Sequence, residues 1–362
     1  MAIRMKDIAD DLGISVATVS KVFHNHRDIG SSTRERVLRR MQELNYQPSL
    51  HAQGLASGRT MIVGLIVPDL VHAFFSEVAK SISDVLRKKG YDLLIAASDE
   101  DPEFEKREIE QMIRRRVDVL IVASCQENIA SLKKVIEQKV PLILLDRNFK
   151  GFGVHFVGTD DLRVGEMATE HLINQGRRII GHIGGQKVST SKDRLLGYKK
   201  ALVQNGLRVS ERYIIKRALG DMSADTTGKQ AMDKLLLLNP QPDAVFCYND
   251  PAAIGAMNAI LAAGLRIPED IAVIGCGNIR YAESLRVPLS SVDIPRKALG
   301  EHAGELALQL ASNKKLLRAK NILVAPKLIV RESSQAPERK SESHLRTIQK
   351  RTKSASLSKT KN

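Results

Sequence analysis

The sequence predicts a small all-α unit at the N-terminus, joined by a hinge helix to an α/β core of two doubly wound subdomains. Three observations predict it. Residues 1–48 hold three short helical patterns separated by turn residues. From Met61 the chain alternates continuous apolar runs with amphipathic helices, the texture of parallel strands covered on both faces. That alternation starts again near Arg177, which makes two units in tandem. At 362 residues, 43% of them hydrophobic, the chain is long enough for such a core.

The N-terminal stretch "RMKDIADDLGISVATVSKVFHNH" divides at Gly13. Before it, Met5, Ile8, Ala9 and Leu12 recur at helical spacing, and glycine is the residue that most readily takes the left-handed conformation ending a helix. Ser15 is placed to cap a second helix over about Val16–Phe23, with Val19, Val22 and Phe23 inward. A third helix lies in "GSSTRERVLRRMQELNY", capped by Ser32 or Thr33, with Val37, Leu38, Met41 and Leu44 as its inner stripe. Two helices joined by about three residues and braced by a third make a helix-turn-helix. Its second helix enters the DNA major groove N-terminus first. Val16 and Ala17 occupy that end and read shape and thymine methyl groups by apolar contact. Ser15, Thr18 and Ser20 suit phosphate contact, and Lys21 reaches a base edge or the backbone. The arginines 34, 36, 39 and 40 taken alone read as ordinary helix solvation.

Pro48 breaks the third helix, and residues 50–57 can form a short hinge helix that Gly54 weakens. If that helix orders on meeting DNA and a symmetry mate, Leu55 is its wedge between minor-groove base pairs; read alone, the segment is a linker.

In the core, strands are expected at "MIVGLIVP", "YDLLIAAS", "VDVLIVAS" and "VPLILLD", then at "RRIIGHIGG", "ERYIIKRAL", "PDAVFCYND" and "DIAVIGCGN". Ligands of such sheets sit outside the carboxyl ends of the strands, here in a cleft between the units. Asp69, Asp99, Asp146 with Arg147, Asp160, Arg194, Asn249 with Asp250, and Asn278 fall at strand ends or helix starts. Singly each reads as a cap or a salt bridge. Together they offer the mixed donors and acceptors a polar small molecule needs, with Phe74, Phe75 and Phe152 as apolar faces for a sugar ring.

The net charge of +15 suits an anionic partner, although the surplus is spread along the chain. The glycines match neither the dinucleotide fingerprint nor the P-loop, so no cofactor is expected. The histidines lack metal-ligand spacing, and no GxSxG elbow occurs. A paired-carboxylate hydrolase is the catalytic class left open, and it leaves the N-terminal reader without a use. Cys125, Cys247 and Cys276 read as buried free thiols in a reducing compartment. With no leader and no run of 18 apolar residues, a cytoplasmic protein beside the nucleoid, with no membrane partner, is the expectation.

At this point the sequence resembles the lactose-repressor/galactose-repressor family of bacterial transcription regulators over about residues 3–331. The motifs that carry the resemblance are "MKDIADDLGISVATVSKVF", "VGTDDLRVGEMATEHLINQGRRIIGHIGG", "SKDRLLGYKKAL", "FCYNDPAAIGAMNAI" and "GLRIPEDIAVIGCGN". It implies a periplasmic-binding-protein-like core and a homodimer on a near-palindromic double-stranded operator. It also implies a small-molecule effector, a carbohydrate in many members, held between the lobes. Residues Ser15 to Lys21 match the recognition helix and Leu55 the intercalating leucine; Asp146, Arg194 and Asn249 match effector-contacting positions. Two departures stand out. Gln53 and Gly54 replace the usual hinge pattern, and Gly277 stands where sugar-responsive members often carry an aspartate. The tail at 332–362 is Ser/Lys-rich and lacks the leucine heptads of tetrameric members, so a dimer with a disordered tail is expected. The boundaries expected are a reading head at 1–48, a hinge at 49–60 and a core at 61–331. Within the core, the first lobe takes about 61–159 with 292–320, and the second takes 162–288 with 322–331. Ligand closure of the lobes would reset the spacing of two reading heads. A sugar-binding transport protein or a cleft enzyme is the rival reading.

Overall fold

The computed structural model describes residues 3–46, 58–149, 151–216, 224–312 and 318–335. The hinge segment with Gln53, Gly54 and Leu55, and the tail from residue 336, lie outside the described residues.

The reading head is three helices, α1 (Met5–Leu12), α2 (Val16–Phe23) and α3 (Ser31–Glu43). Gly13, at φ 65°, ends α1, and the Ser15 hydroxyl accepts the Thr18 amide at 3.1 Å to start α2. Ile8, Ala9, Val19, Val22, Val37 and Met41 close a small core. The third helix corrects two expectations. Leu38 is 44% exposed, because it lies a hundred degrees around the helix from Val37, and the buried stripe runs Val37–Met41. The helix also begins at Ser31 after Gly30, with no side-chain cap, so Ser32 and Thr33 sit inside its first turn.

The core begins with β1 (Ile62–Val67), α4 (Ala73–Arg87), β2 (Asp92–Ala97), α5 (Pro102–Arg114), β3 (Val119–Val122), α6 (Ala130–Glu137), β4 (Leu142–Leu145) and β5 (His155–Thr159). A second run follows: α7 (Asp161–Asn174), β6 (Ile180–Ile183), α8 (Ser189–Gln204), β7 (Ile214–Ile215), α9 (Ala224–Leu236), β8 (Ala244–Cys247), α10 (Asp250–Ala262), β9 (Ala272–Cys276) and β10 (Ser290–Asp293). The chain then returns to the first lobe as α11 (Arg296–Ser312), packed on α4, and β11 (Asn321–Val324), before β12 (Lys327–Ile329) completes the second. The sheets run β2-β1-β3-β4-β5-β11 and β7-β6-β8-β9-β10-β12. All their pairings are parallel except β12 against β10. Central residues such as Leu65, Leu120, Ile121, Val245 and Ile274 are fully buried, as helices on both faces require.

Two lobe boundaries move. Ser290–Asp293 pairs with β9 and so belongs to the second lobe, and Asn321–Val324 pairs with β5 and belongs to the first. A four-residue strand next to a crossover carries no periodicity that says which sheet it joins.

Helices α7 and α8 approach closely through Gly165 and Gly197. A β-carbon on Gly165 would lie 2.1 Å from the carbonyl oxygen of Arg194, and one on Gly197 would lie 2.1 Å from that of Leu162. Neither site has room for a side chain. Among the described residues, no helix is long and apolar enough to cross a membrane. The three cysteines are free and buried, and burial pushes the Cys276 thiol up to about 12.

Candidate functional site

The reading surface is the first turn of α2. Val16, 45% exposed, and Ala17 stand outward there, while Val19 and Val22 behind them are buried. The Ser15 hydroxyl is engaged with Thr18, whose own hydroxyl lies 2.9 Å away, so this pair shapes the turn that presents Val16. Ser20 is half-buried. Lys21 reaches out and is held at 2.5 Å by Asp28, which keeps that carboxyl below its usual range. The third-helix arginines act as struts, a role the sequence reading missed. Arg34 donates to Asn25 Oδ1 at 2.6 Å and to the His26 carbonyl, Arg36 to the Leu12 carbonyl at 3.3 Å, and Arg40 to Asp11 and Glu43.

Between the lobes the strand-end loops bring together buried charges. Arg147 is 5% exposed and meets Glu100 through two parallel bonds of 2.9 and 2.7 Å. Burial works against its charge, but the Glu100 carboxylate outweighs burial and raises its pKa. From the second lobe, Arg194, 4% exposed, donates to Asp161 at 2.8 Å and to the Tyr248 carbonyl at 2.8 Å, with the Tyr248 ring 4.8 Å from its guanidinium carbon. Burial pushes the Asp161 carboxyl up to about 7, against the pull of Arg194.

Asp146 precedes Arg147 at φ 62°, with the Arg147 amide donating to the Leu145 carbonyl across it at 2.5 Å. Such a tight three-residue turn at positive φ is rare and strained for a non-glycine residue. Asp146 is 7% exposed, burial raises its pKa, and among the described residues no hydrogen bond reaches its carboxylate.

The two lobes touch across this cleft. The Asn148 amide donates to Ser189 Oγ at 2.8 Å, Lys187 lies 3.8 Å from Glu127, and Arg296 of α11 donates to the Gly277 carbonyl while pairing with Glu77 at 2.7 Å. A cavity of about 240 Å³ opens between them, lined in part by Ser124, Arg147, Asn148, Phe149, Ser189 and Lys192.

The other residues singled out from the sequence fall differently. Asn249 caps α10, accepting the Ala252 amide at 2.9 Å, and its side-chain nitrogen lies 3.5 Å from His72 Nε2 across the cleft. Asn278 is spent at the crossover, its amide 3.2 Å from Asp293 and 2.9 Å from Arg331. Phe74 and Phe75 are packed edge-to-face within the first lobe's core, with Arg147 6.0 Å from the Phe75 ring, and Phe152 packs beside Phe149. Asp69 folds back onto the Val71 amide at 2.7 Å. Asp160 caps α7, and Asp161 rather than Asp160 holds Arg194. The sequence reading missed Glu100, Asp161, Tyr248 and Ser189. Only their nearness to strand ends hinted at them.

A helix-turn-helix head on a two-lobed α/β core with a polar cleft defines a ligand-responsive DNA-binding protein. Comparison with known proteins makes the class specific. Residues 4–49 match the family described as bacterial regulatory proteins, lacI family, and residues 169–334 match a periplasmic binding protein-like domain. The chain is 33% identical over 341 residues to the HTH-type transcriptional regulator GalR of Escherichia coli (strain K12), covering 94% of this chain and 98% of that one. Its fold matches the lac repressor dimer bound to operator and the anti-inducer ONPF at a TM-score of 0.82 and 25% identity, covering 93% and 100% of the two chains. It also matches a CelR–cellobiose complex at 0.70 and 26%, covering 91% and 99%. The chain belongs to the lacI family of bacterial transcription regulators, with a DNA-binding helix-turn-helix and an effector-binding core.

Proposed function

We propose that two copies of this chain bind a near-palindromic operator as a repressor, and that a small carbohydrate or carbohydrate derivative in the cleft sets operator affinity. Val16 and Ala17 read bases, Lys21 exchanges Asp28 for DNA, and Asp146, Arg194 and Asn249 hold the effector. The observation that carries the reading is the cleft itself: polar residues of both lobes, among them Arg147 and Asn148 from the first and Ser189 and Lys192 from the second, line one cavity, and the buried Asp146 and Arg194 adjoin them in the chain. That volume is at or below the lower end of pockets for drug-sized ligands, which suits a small sugar. A cellobiose complex and an operator-bound dimer among the similar structures support the same reading.

The first lobe supplies the dimer face. Its β2 is an open sheet edge carrying Ile95, 40% exposed, and Val71 in the loop after β1 is 92% exposed. The protein acts in the cytoplasm and is not a catalyst: the cleft acids are committed to arginines or strained toward a ligand. Operator selection from random duplexes, followed by effector titration on the selected site, tests this. An enriched inverted repeat whose affinity shifts with a sugar is expected; enrichment of no sequence would sink it.

A further inference from the structure

Gly277 has no part in holding an effector or reading DNA. Its φ of 116° is one that L side chains rarely adopt, and a β-carbon there would lie 3.9 Å from a carboxylate oxygen of the fully buried Asp250. Three consecutive amides fix its loop inside the second lobe. Gly277 donates to the Val292 carbonyl at 2.9 Å, Asn278 to Ser291 Oγ at 2.9 Å and Ile279 to Asp250 at 2.7 Å. The Gly277 carbonyl is left to receive Arg296, which belongs to the first lobe's α11.

The same guanidinium donates through Nε to Glu77 of α4 at 2.7 Å and lies 3.9 Å from Asp293 of the second lobe. Glu77 and Arg296 stand on helices that cannot shift freely, because α4 and α11 pack through Gly300, where a β-carbon would lie 2.7 Å from the Val78 carbonyl oxygen. One planar cation, its side chain 14% exposed, thus ties a fixed helix pair of one lobe to a fixed loop of the other. By comparison, the Asn148–Ser189 bond across the cleft is uncharged, Asn249 and His72 are 3.5 Å apart, and Lys187 and Glu127 are both exposed.

We propose that Arg296 is a latch that holds the two lobes in this arrangement without any ligand, so that an effector acts on lobes already engaged instead of closing an open cleft. Every partner of the latch belongs to the chain, and its bonds are charge-assisted and largely shielded from water. A ligand that shifts operator affinity must then favour the latched arrangement or oppose it. The latch stands on the fold alone; its effect on DNA rests on the regulator reading.

Hydrogen exchange on the full chain, with no sugar added, reads the latch at the Asn148 amide, whose acceptor Ser189 Oγ is on the other lobe. The Ser98 and Gly184 amides, bonded to the Val67 and Ile215 carbonyls within single lobes, are the references. Asn148 should be protected in the parent. Arg296→Gln should lower that protection at least about tenfold and Glu77→Gln by less, with the references and the melting temperature nearly unchanged. Arg296→Lys, which keeps the charge but not the fork, should preserve the protection only in part. Loss of protection at all three amides alike would make Arg296 an ordinary stabilising residue and overturn the proposal. An Asn148 amide that exchanges freely in the parent, or stays equally protected in Arg296→Gln, overturns it as well. Operator affinity is measured on the same variants: a released Asn148 amide with constant affinity supports the latch and counts against coupling of the lobes to DNA.

Discussion

Substituting Gly165 by alanine is the sharpest perturbation of the cleft that touches none of its polar groups. The added carbon would lie 2.1 Å from the Arg194 carbonyl oxygen, against an ordinary contact of about 3.2 Å, so α7 and α8 must part by about 1 Å. Overpacking of this kind costs about 1–3 kcal/mol, or roughly 2–9 °C in melting temperature for a lobe of this size. The larger consequence is geometric. Arg194 moves with its helix, while Asp161, at the start of α7, moves the other way. The 2.8 Å bond between them then stretches beyond useful length, and the guanidinium no longer faces the ligand as placed. Effector titration of operator release should therefore show at least about a tenfold rise in midpoint, with operator affinity in the absence of effector within about twofold of the parent. An unchanged midpoint in a variant that melts lower would refute the claim that the α7–α8 contact positions Arg194.

Four further outcomes follow. His182 is fully buried, its Nδ1 3.1 Å from the Phe246 carbonyl, and burial pulls its pKa down to about 4 from 6.5. The unfolded chain therefore takes the proton first. Stability is whole above pH 6.5 and falls as pH drops toward 4, by about 3 kcal/mol in all; His182→Asn should flatten that limb of a denaturation series. Val19→Ala should destabilise the reading head by about 2 kcal/mol and weaken operator and random DNA alike, as read by melting and gel shift. Exchanging Val16 and Ala17 for polar residues should change the selected operator bases while leaving salt dependence alone. Asp28→Asn, which frees Lys21, should tighten binding to random DNA by no more than about fivefold and steepen its salt dependence, since an exposed pair is weak.

Much of the architecture was legible because it follows from periodicity. The capping serine and the glycine at the end of α1 fixed the reading head, and apolar runs marked eight core strands, β1–β4 and β6–β9. Strand β5 and strands β10, β11 and β12 were not marked; the last three are only three or four residues long, and β11 and β12 pair with strands far back in sequence. The cleft was legible in part. Arg194, in the second turn of α8, was marked by the family resemblance, whereas Asp146 and Arg147 announced themselves as polar residues ending an apolar run. Glu100 and Asp161 did not, since nothing local says which of several neighbouring acids turns toward an arginine two loops away. Phe74 and Phe75 were legible only as an aromatic pair. An aromatic pair at a helix start suits a sugar face or a core equally; both rings pack in the core, and Phe75 also neighbours Arg147 and His72.

The regulatory claim meets its most direct test in operator affinity of the full chain, measured by fluorescence anisotropy across a titration of the sugar that best raises its melting temperature. Affinity should change severalfold with a midpoint matching the sugar's own dissociation constant, and Arg194→Ala should abolish the response while still binding operator. Operator affinity that stays constant while the sugar saturates the cleft would contradict the account.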